Sequence, residues 1–282
     1  MKPFTLNIRG NLLRVERPMI MGIINVTPDS FWEGSRAADA DSIAGRAATM
    51  IADGVDIIDL GACSARPGAE TCDAATEEAR IAVGIEAVRS VSADIPLSVD
   101  TFRASVARSA VEHGADIVND ISGGDLDPEM MPTVASLHVP YIMMHMRGTP
   151  ATMQSMCDYP EGVVTEVVAD LSRKIERFRL AGVADIIADP GLGFAKTVGQ
   201  NYELLRATAE IEELLGTPVL IGLSRKSMLR RPLGITAAEA LEATTAANTL
   251  ALVNGAAILR VHDVKAAVEA REIVSLTYPT PA

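Results

Sequence analysis

The sequence predicts an α/β protein with the architecture of a (β/α)8 TIM barrel. Three observations favour this fold: the length, a repeated glycine-led motif, and the alternation of short apolar runs with helical segments. The chain has 282 residues, of which 48% are hydrophobic and 22% are charged, as in ordinary globular proteins. No linker or low-complexity segment divides it, so we expect one domain over residues 1–282 with the barrel core at about 18–276.

A short motif, in which a glycine leads into an apolar run, recurs four times. The glycines are Gly54, Gly114, Gly182 and Gly255, and each follows a helical stretch. Glycine accepts the left-handed conformation that closes a helix, and the apolar run is typical of a strand buried on both faces. Each copy therefore predicts a helix followed by a strand. Further strands are predicted at 20–26, 97–101, 141–146 and 219–224, and helices at 41–52, 76–91, 103–112, 162–181, 202–215 and 237–253.

The ends of these elements carry weaker signals. Asp41 and Thr76 are the residue types that cap helix N-termini, so we predict them as N-caps. Residues 5–15 predict a small hairpin that turns at Gly10 and Asn11 and covers the barrel floor. A doubly wound open sheet is the alternative fold, but no G-x-G-x-x-G fingerprint follows the first strand.

Composition excludes several classes of partner. The net charge is −12 and aromatic residues make up only 4%, which argues against binding to nucleic acid. The N-terminus lacks the apolar stretch of a signal peptide, and no apolar stretch is long enough to span a membrane, so we expect a cytoplasmic protein. Cys63, Cys72 and Cys157 are too few for a disulfide framework or a zinc site, and we expect them to be reduced thiols.

Polar side chains stand at the predicted C-terminal ends of the strands, where such barrels carry their chemistry. Asp100, Asn119 and Asp189 supply hydrogen-bonding groups suited to a flat heterocycle rich in donors, and Lys226 supplies a cation beside the carboxylates. For any one of them, helix capping or contact with solvent is the alternative. The full set is Asn25, Asp59, Asp100, Asn119, His145, Asp189, Lys226, Arg260 and His262.

The last strand and the segment after strand seven indicate an anion site. Strand alternation puts Arg260 and His262 on one side, and a guanidinium binds phosphate well. A surface salt bridge is the alternative for this pair. Ser227 opens a predicted helix whose backbone N–H groups favour an anion. Phe31 lies in a Pro-containing loop after strand one, in a context suited to a lid over a substrate.

Seven separated segments, taken in order, resemble the motifs of the dihydropteroate synthase family, the pterin-binding barrel enzymes of folate biosynthesis. Each segment is a weak signal alone, but the ordered set is highly specific. The segments are 22–31 (GIINVTPDSF), 98–101 (SVDT), 119–121 (NDI), 144–146 (MHM), 189–194 (DPGLGF), 224–227 (SRKS) and 260–262 (RVH).

The resemblance implies a transferase that condenses 7,8-dihydropterin-6-ylmethyl diphosphate with 4-aminobenzoate and releases pyrophosphate, with Mg²⁺ as cofactor. It also implies a homodimer and a target of sulfonamides. In such a site the pterin ring is bound by Asp100, Asn119, Asp189, Phe194 and Lys226, with Arg260 stacked over it. Asn25 contacts Mg²⁺ and the diphosphate, and Arg260 and His262 line the anion pocket. These implied roles make Asn25, Lys226, Arg260 and His262 the catalytic residues.

The resemblance extends to the second substrate. Ser227 is implied to receive the carboxylate of 4-aminobenzoate, and Phe31, Arg66 and Pro67 on two loops to shape its site. The second loop departs from the family pattern Gly-Glu-Ser-Thr-Arg-Pro-Gly, because Cys63 replaces the glutamate and Ala65 the threonine. Loss of one threonine hydrogen bond costs about 0.5–1.5 kcal/mol. We therefore expect altered substrate binding or sulfonamide sensitivity, and not loss of activity.

Two alternative functions remain open from the sequence. Methyltetrahydrofolate-dependent methyltransferases use a similar pterin barrel, but they pass a methyl group to a corrinoid and need no diphosphate pocket. A pterin-binding paralogue without catalytic activity is the other alternative, and the changes at Cys63 and Ala65 are its only motivation.

Overall fold

The computed structural model describes residues 1–26, 36–63 and 72–279, with the backbone alone for residues 36–39. Eight parallel strands form one sheet that curls into a barrel, and helices alternate with them along the chain. A two-stranded antiparallel hairpin precedes the barrel. The predicted (β/α)8 barrel with a short N-terminal hairpin is therefore confirmed.

The bounds of the elements are as follows. The hairpin is β1 (Phe4–Ile8) and β2 (Asn11–Val15). The barrel strands are β3 (Met19–Asn25), β4 (Ile57–Gly61), β5 (Leu97–Asp100), β6 (Ile117–Asp120), β7 (Tyr141–Met144), β8 (Ile186–Asp189), β9 (Leu220–Ile221) and β10 (Ile258–Val261). The helices are α1 (Arg36–Ala52), α2 (Ala74–Val91), α3 (Ala104–Glu112), α4 (Met130–Leu137), α5 (Val163–Leu180), α6 (Val198–Arg206), α7 (Thr208–Leu215), α8 (Ser227–Leu233), α9 (Leu241–Val253) and α10 (Val264–Thr277). Within the described ranges, none of these helices is long and apolar enough to cross a lipid bilayer.

The order of the strands closes the barrel. Within the sheet the order is β8-β7-β6-β5-β4-β3-β10-β9. A parallel bridge between Ala188 and Val219 connects its two outer strands, and the Ala188 N–H donates to the carbonyl of Pro218 at 2.9 Å. Because the strands are all parallel, their C-terminal ends meet at one mouth, and the polar residues that end them are brought together there.

Two apolar layers hold the barrel together. Ile20, Ile58 and Val118 belong to a large buried cluster that includes residues of the surrounding helices. Their chain neighbours, such as Ile57 and Ile117, belong to a second cluster shared with the hairpin. This alternation is expected for strands with one face toward the helices and the other toward the barrel axis. The four repeat glycines all have φ between 90 and 108°, which confirms the helix ends that the motif predicted.

Some predicted boundaries are wrong. Asp73, and not Thr76, caps α2, since its carboxylate accepts the Thr76 N–H at 2.7 Å. Asp41 lies inside α1 and is therefore not its N-cap. The helix predicted at 202–215 is two helices that meet at Ala207, and strand β9 has two residues where six were predicted. Helices α4 and α10 were not predicted.

The hairpin covers the end of the barrel opposite the mouth, as predicted. Leu6 and Val15 are buried against residues in the N-terminal halves of the barrel strands, including Met21 and Leu220. Charged contacts fix its position, because Arg9 pairs with Asp116 through two hydrogen bonds of 2.6 and 2.9 Å. The turn is formed by Arg9 and Gly10, both with positive φ, and Asn11 is already in β2, so the predicted turn was one residue too late.

Replacing Leu6 by alanine should destabilise the protein by about 2–4 kcal/mol, because the side chain is 1% exposed and its loss leaves a cavity under the barrel. Denaturant unfolding of Leu6→Ala measures this loss. The matched control is Leu12→Ala on the same hairpin, where the side chain is 76% exposed and the free energy of unfolding should hardly change. Equal losses in the two variants would contradict the packed floor.

Candidate active site

The mouth of the barrel brings together most of the residues that the sequence singled out. Asn25, Asp100 and Asp189 are the last residues of their strands. The others lie within or just beyond strands of the same sheet, so their side chains approach one another from several directions. These residues are Asn119 in β6, Arg260 in β10, His262 just after β10, Phe194 after β8, and Lys226 and Ser227 after β9.

Arg260 is the centre of a buried charge cluster. Its Nε donates to Asp59 Oδ2 at 2.7 Å, and its Nη2 donates to Asp100 Oδ2 at 2.6 Å. The Asn119 amide donates to the same oxygen of Asp59 at 3.3 Å. Val261, the next residue, belongs to the large buried cluster shared with the surrounding helices, so the alternation of β10 directs Arg260 toward the barrel axis.

Burial and ion pairing shift the pKa values of the residues in this cluster. Burial lowers the pKa of Arg260, but the carboxylates of Asp59 and Asp100 outweigh this and raise it above its ordinary value. Burial raises the pKa of Asp100 to about 7, and Arg260 only partly offsets that effect. Asp59 Oδ1 is fully buried and makes no hydrogen bond with any residue that the structure describes. The cluster therefore offers buried acceptor oxygens to a ligand that carries donors.

Asp189 and Lys226 lie next to this cluster at the same mouth, since Lys226 follows β9, which pairs with β10. Asp189 Oδ1 accepts the Gly191 N–H at 2.7 Å, and burial raises the pKa of this carboxyl. Lys226 Nζ donates to the Leu192 carbonyl at 2.6 Å and lies 4.8 Å from the centre of the Phe194 ring. Burial lowers the pKa of Lys226 to about 8, although Asp189 favours its charged form. A flat ring could bind between an acceptor, a donor and an aromatic side chain here.

The segment after β9 contacts His262, one of the residues predicted to bind an anion. His262 receives two contacts from Ser224, whose Oγ accepts the His262 backbone N–H at 3.2 Å and lies 3.1 Å from its Nδ1. Arg225, between Ser224 and Lys226, has φ of 55° and is held there by two 2.8 Å contacts with Asp263. Ser227 begins helix α8, which confirms the predicted helix start.

Asn25 ends β3 beside Gly61 of β4, and its side chain is exposed at the mouth. A Cβ atom on Gly61 would lie 3.8 Å from Asn25 Oδ1 and 3.7 Å from Asp100 Oδ2. The glycine thus leaves room beside two oxygen atoms that hard cations accept as ligands. Of the other predicted site residues, Phe31, Arg66 and Pro67 lie outside the described residues.

A buried lysine near the site was not predicted. Lys196 Nζ contacts His145 Nδ1 at 3.0 Å and donates to the carbonyls of Gly191 and Phe194 at 3.1 and 2.8 Å. Burial lowers the pKa of Lys196 to about 7 and that of His145 well below its usual value. Lys196 therefore fixes the loop that carries Phe194. A lysine in a loop gives no sequence signal for such burial.

The prediction that all three cysteines are reduced is wrong for two of them. Cys63 and Cys72 form a disulfide across a sequence separation of 9, with their Cα atoms 6.1 Å apart, and Cys157 is free. Cys63 follows the end of β4, and Cys72 precedes the residue that caps α2. Because the fold brings the end of this strand close to the start of this helix, the two sulfur atoms can bond.

Residues 21–262 match the family described as pterin binding enzyme. The dihydropteroate synthase of Synechocystis sp. is 44% identical over 254 residues, which cover 89% of this chain and 87% of that protein.

Solved structures agree. The Xanthomonas albilineans dihydropteroate synthase with 4-aminobenzoic acid has a TM-score of 0.89 and 36% identity, covering 99% of this chain and 100% of that one. The Yersinia pestis dihydropteroate synthase with a sulfonamide drug has a TM-score of 0.89 and 36% identity, covering 97% of this chain and 99% of that one. Fold, site and sequence therefore agree, and the chain belongs to the dihydropteroate synthase family of pterin-binding enzymes.

Proposed function

We propose that this protein catalyses the condensation of 7,8-dihydropterin-6-ylmethyl diphosphate with 4-aminobenzoate to give dihydropteroate and pyrophosphate. The observation that carries the proposal is the cluster in which Arg260 bridges Asp59 and Asp100, next to Asp189 and Lys226, in a chain of this family. Such a mouth offers acceptors for a donor-rich ring and cations for a leaving diphosphate.

The pterin ring would bind deepest. Its amino group and ring N–H groups are donors, and the carboxylates of Asp100 and Asp189 are acceptors within the mouth. Asn119 can both donate and accept, and Lys226 can donate to a ring oxygen or nitrogen. Phe194 and the guanidinium of Arg260 supply flat surfaces for stacking. Burial raises the pKa values of both aspartates because it removes water from their carboxyl groups. Hydrogen bonds from the pterin ring would replace those that water makes in solution.

The diphosphate would lie nearer the opening. His262 and the remaining N–H groups of Arg260 would contact its oxygens, and Asn25 would contact the cation that accompanies it. Mg²⁺ takes oxygen ligands and often binds through few protein groups plus substrate phosphates, so the exposed amide oxygen of Asn25 fits it. When bound, Mg²⁺ would reduce the negative charge on the departing diphosphate.

The chemistry then follows from charge. The electron-rich pterin can spread positive charge from its methylene carbon, so we propose that the C–O bond breaks before the arylamine attacks. Lys226, Arg260 and His262 stabilise the anion that leaves. The arylamine then forms the new C–N bond and loses a proton to solvent, so no strong general base is needed. Dependence of the chemical step on nucleophile concentration would argue against this route.

The 4-aminobenzoate site would lie at the outer edge. Ser227 at the start of α8 would receive its carboxylate, and Phe31, Arg66 and Pro67 would surround its ring. Sulfonamides, which resemble this substrate, would compete for the same position. These four assignments rest on the family resemblance, and alanine substitution of Ser227 should raise KM for 4-aminobenzoate and leave KM for the pterin substrate unchanged.

We also propose a cytoplasmic homodimer. Helices α9 and α10 expose Leu250, Val253, Ile273 and Leu276, at 54%, 46%, 62% and 80% of their maximal areas. Neighbouring exposed apolar side chains on two packed helices are typical of an interface between subunits. Analytical ultracentrifugation should give twice the chain mass, and Leu276→Glu with Ile273→Glu should give the monomer.

The function is tested by pyrophosphate release from dihydropterin diphosphate with Mg²⁺, measured with and without 4-aminobenzoate. Release that depends on 4-aminobenzoate supports the proposal. Release without it indicates that the second substrate is different or poorly bound. Pterin diphosphate binding without any release would favour the non-catalytic paralogue. Methyl transfer from methyltetrahydrofolate to a corrinoid would favour the methyltransferase.

The affinity for the pterin substrate should fall as the pH rises above about 8. The Lys226 ammonium attracts the diphosphate, and its pKa of about 8 means that it loses its charge over this range. If the bound state keeps the proton, Kd rises by about tenfold per pH unit above the pKa. Calorimetric titration at pH 7, 8, 9 and 9.5 measures this slope. In Lys226→Arg the charge persists, so an equally steep slope in that variant would assign the titration to another group.

A further inference from the structure

The Cys63–Cys72 disulfide lies beside the site and has no part in the proposed reaction. Both cysteines are half-buried, so neither residue is enclosed in the core. Cys63 is two residues beyond Gly61, which pairs with Asn25 of β3 on one side and Asp100 of β5 on the other. The bond therefore connects the end of a strand that borders the candidate metal and pterin positions to the start of α2.

The charges around the two sulfur atoms favour exchange. Arg103 Nη1 lies 3.9 Å from Cys63 Sγ, and its Nη2 donates to the Cys72 carbonyl at 2.8 Å. Arg103 also forms an ion pair with Glu77, whose carboxylate lies within 4.8 Å of both sulfur atoms. A nearby guanidinium stabilises a thiolate and makes it a better leaving group. The carboxylate of Glu77 opposes a second negative charge in the same place.

We propose that Cys63–Cys72 is a reversible redox modification site, reduced by dithiols and reformed by thiol–disulfide exchange. The thiolate of the dithiol attacks Cys72 Sγ, the bond between the two cysteines breaks, and Cys63 leaves as a thiolate next to Arg103. The second thiol of the reductant then displaces Cys72. In total, two electrons and two protons pass from the dithiol to the protein, so that Cys63 and Cys72 become thiols and the dithiol becomes a disulfide.

Reduction changes the connection between β4 and α2. In the oxidised protein the disulfide is a covalent link between the end of β4 and the start of α2, and in the reduced protein this link is absent. The link restrains the end of β4, where Gly61 lies between Asn25 and Asp100, so holding these two side chains in place around a substrate costs less conformational entropy. By this reasoning, which rests on the proposed function, the oxidised form binds the pterin substrate more tightly than the reduced form.

The first experiment counts thiols. Native oxidised protein should show one reactive thiol, from Cys157, and protein treated with dithiothreitol and desalted should show three. Removal of the reductant with oxidised dithiothreitol present should restore the count of one. Cys157→Ser is the matched control, with counts of zero and two. A pair that stays oxidised in millimolar dithiothreitol under native conditions, or that never reforms, overturns the proposal.

The second experiment compares the two redox forms. KM for the pterin substrate should be about fivefold higher in the reduced form than in the oxidised form. Cys63→Ser and Cys72→Ser should have the KM of the reduced form, and dithiothreitol should not change it. Cys157→Ser should behave as the wild type. Calorimetric Kd for pteroate gives the same comparison without turnover. Identical values in both redox forms overturn the proposal, whereas absence of turnover in both forms counts against the proposed reaction alone.

Discussion

Substitution of Arg260 by methionine should reduce kcat/KM by about a thousandfold or more and destabilise the fold by about 3–5 kcal/mol. The first effect follows from loss of a cation that stabilises the leaving diphosphate. The second follows because Asp59, which is 0% exposed, loses the partner of its charge. Steady-state kinetics and urea unfolding measure the two effects separately.

A double variant separates the effect on catalysis from the effect on stability. Combining Arg260→Met with Asp59→Asn removes the uncompensated charge, so a large part of the stability should return while kcat/KM stays low. Arg260→Lys keeps one charge but cannot bridge Asp59 and Asp100 as the guanidinium does, so its kcat/KM should lie between those of the wild type and Arg260→Met. If the double variant regains activity together with stability, Arg260 serves the fold and not the reaction.

Substitution of Asp189 by asparagine should lower kcat/KM by about a hundredfold, mostly through weaker binding of the pterin substrate. The amide oxygen can still accept the Gly191 N–H, so the loop stays in place, but an NH₂ group replaces an oxygen that would accept a hydrogen bond from the ring. Hydrogen bonds to charged groups contribute about 1.5–3 kcal/mol each. Kinetics with varied pterin substrate measure the loss.

Asp185→Asn is the matched control for this prediction. Asp185 comes just before the same strand, β8, at the opposite end of the barrel, and its Oδ2 accepts the Asn7 N–H at 2.6 Å. This substitution should lower stability by about 1 kcal/mol and leave both KM values unchanged. Should Asp185→Asn impair substrate binding as much as Asp189→Asn, the effect of Asp189 would be one of strand stability.

Much of the site could be predicted from the positions of residues in the strand pattern. Asp100, Asn119, Asp189 and Arg260 follow or end short apolar runs, and parallel strands bring such ends together. The pairing of Arg260 with Asp59 could not be predicted. It joins residues separated by 201 positions, and it depends on how strands β4 and β10 lie on either side of β3 in the closed barrel.

Other features were missed because local signals pointed elsewhere. Proline disfavours the interior of a helix, but Pro132 occupies the third position of α4, where its missing N–H has no partner to lose. The count of cysteines argued against a disulfide, although the ends of a strand and a helix bring Cys63 and Cys72 together. In both cases the position of the residues in the folded chain outweighed the general tendency of their residue type.

The hairpin under the barrel also sets an order of events in folding. The backbone of Asn7 bonds to Asp185 across 178 residues, and that of Lys2 bonds to Glu212 across 210. Because contacts between distant parts of a chain form slowly, docking of the hairpin must wait until β8 and α7 have been synthesised and have collapsed. Until then its apolar face stays exposed, and in this interval a nascent chain is most prone to associate with other chains or with chaperones.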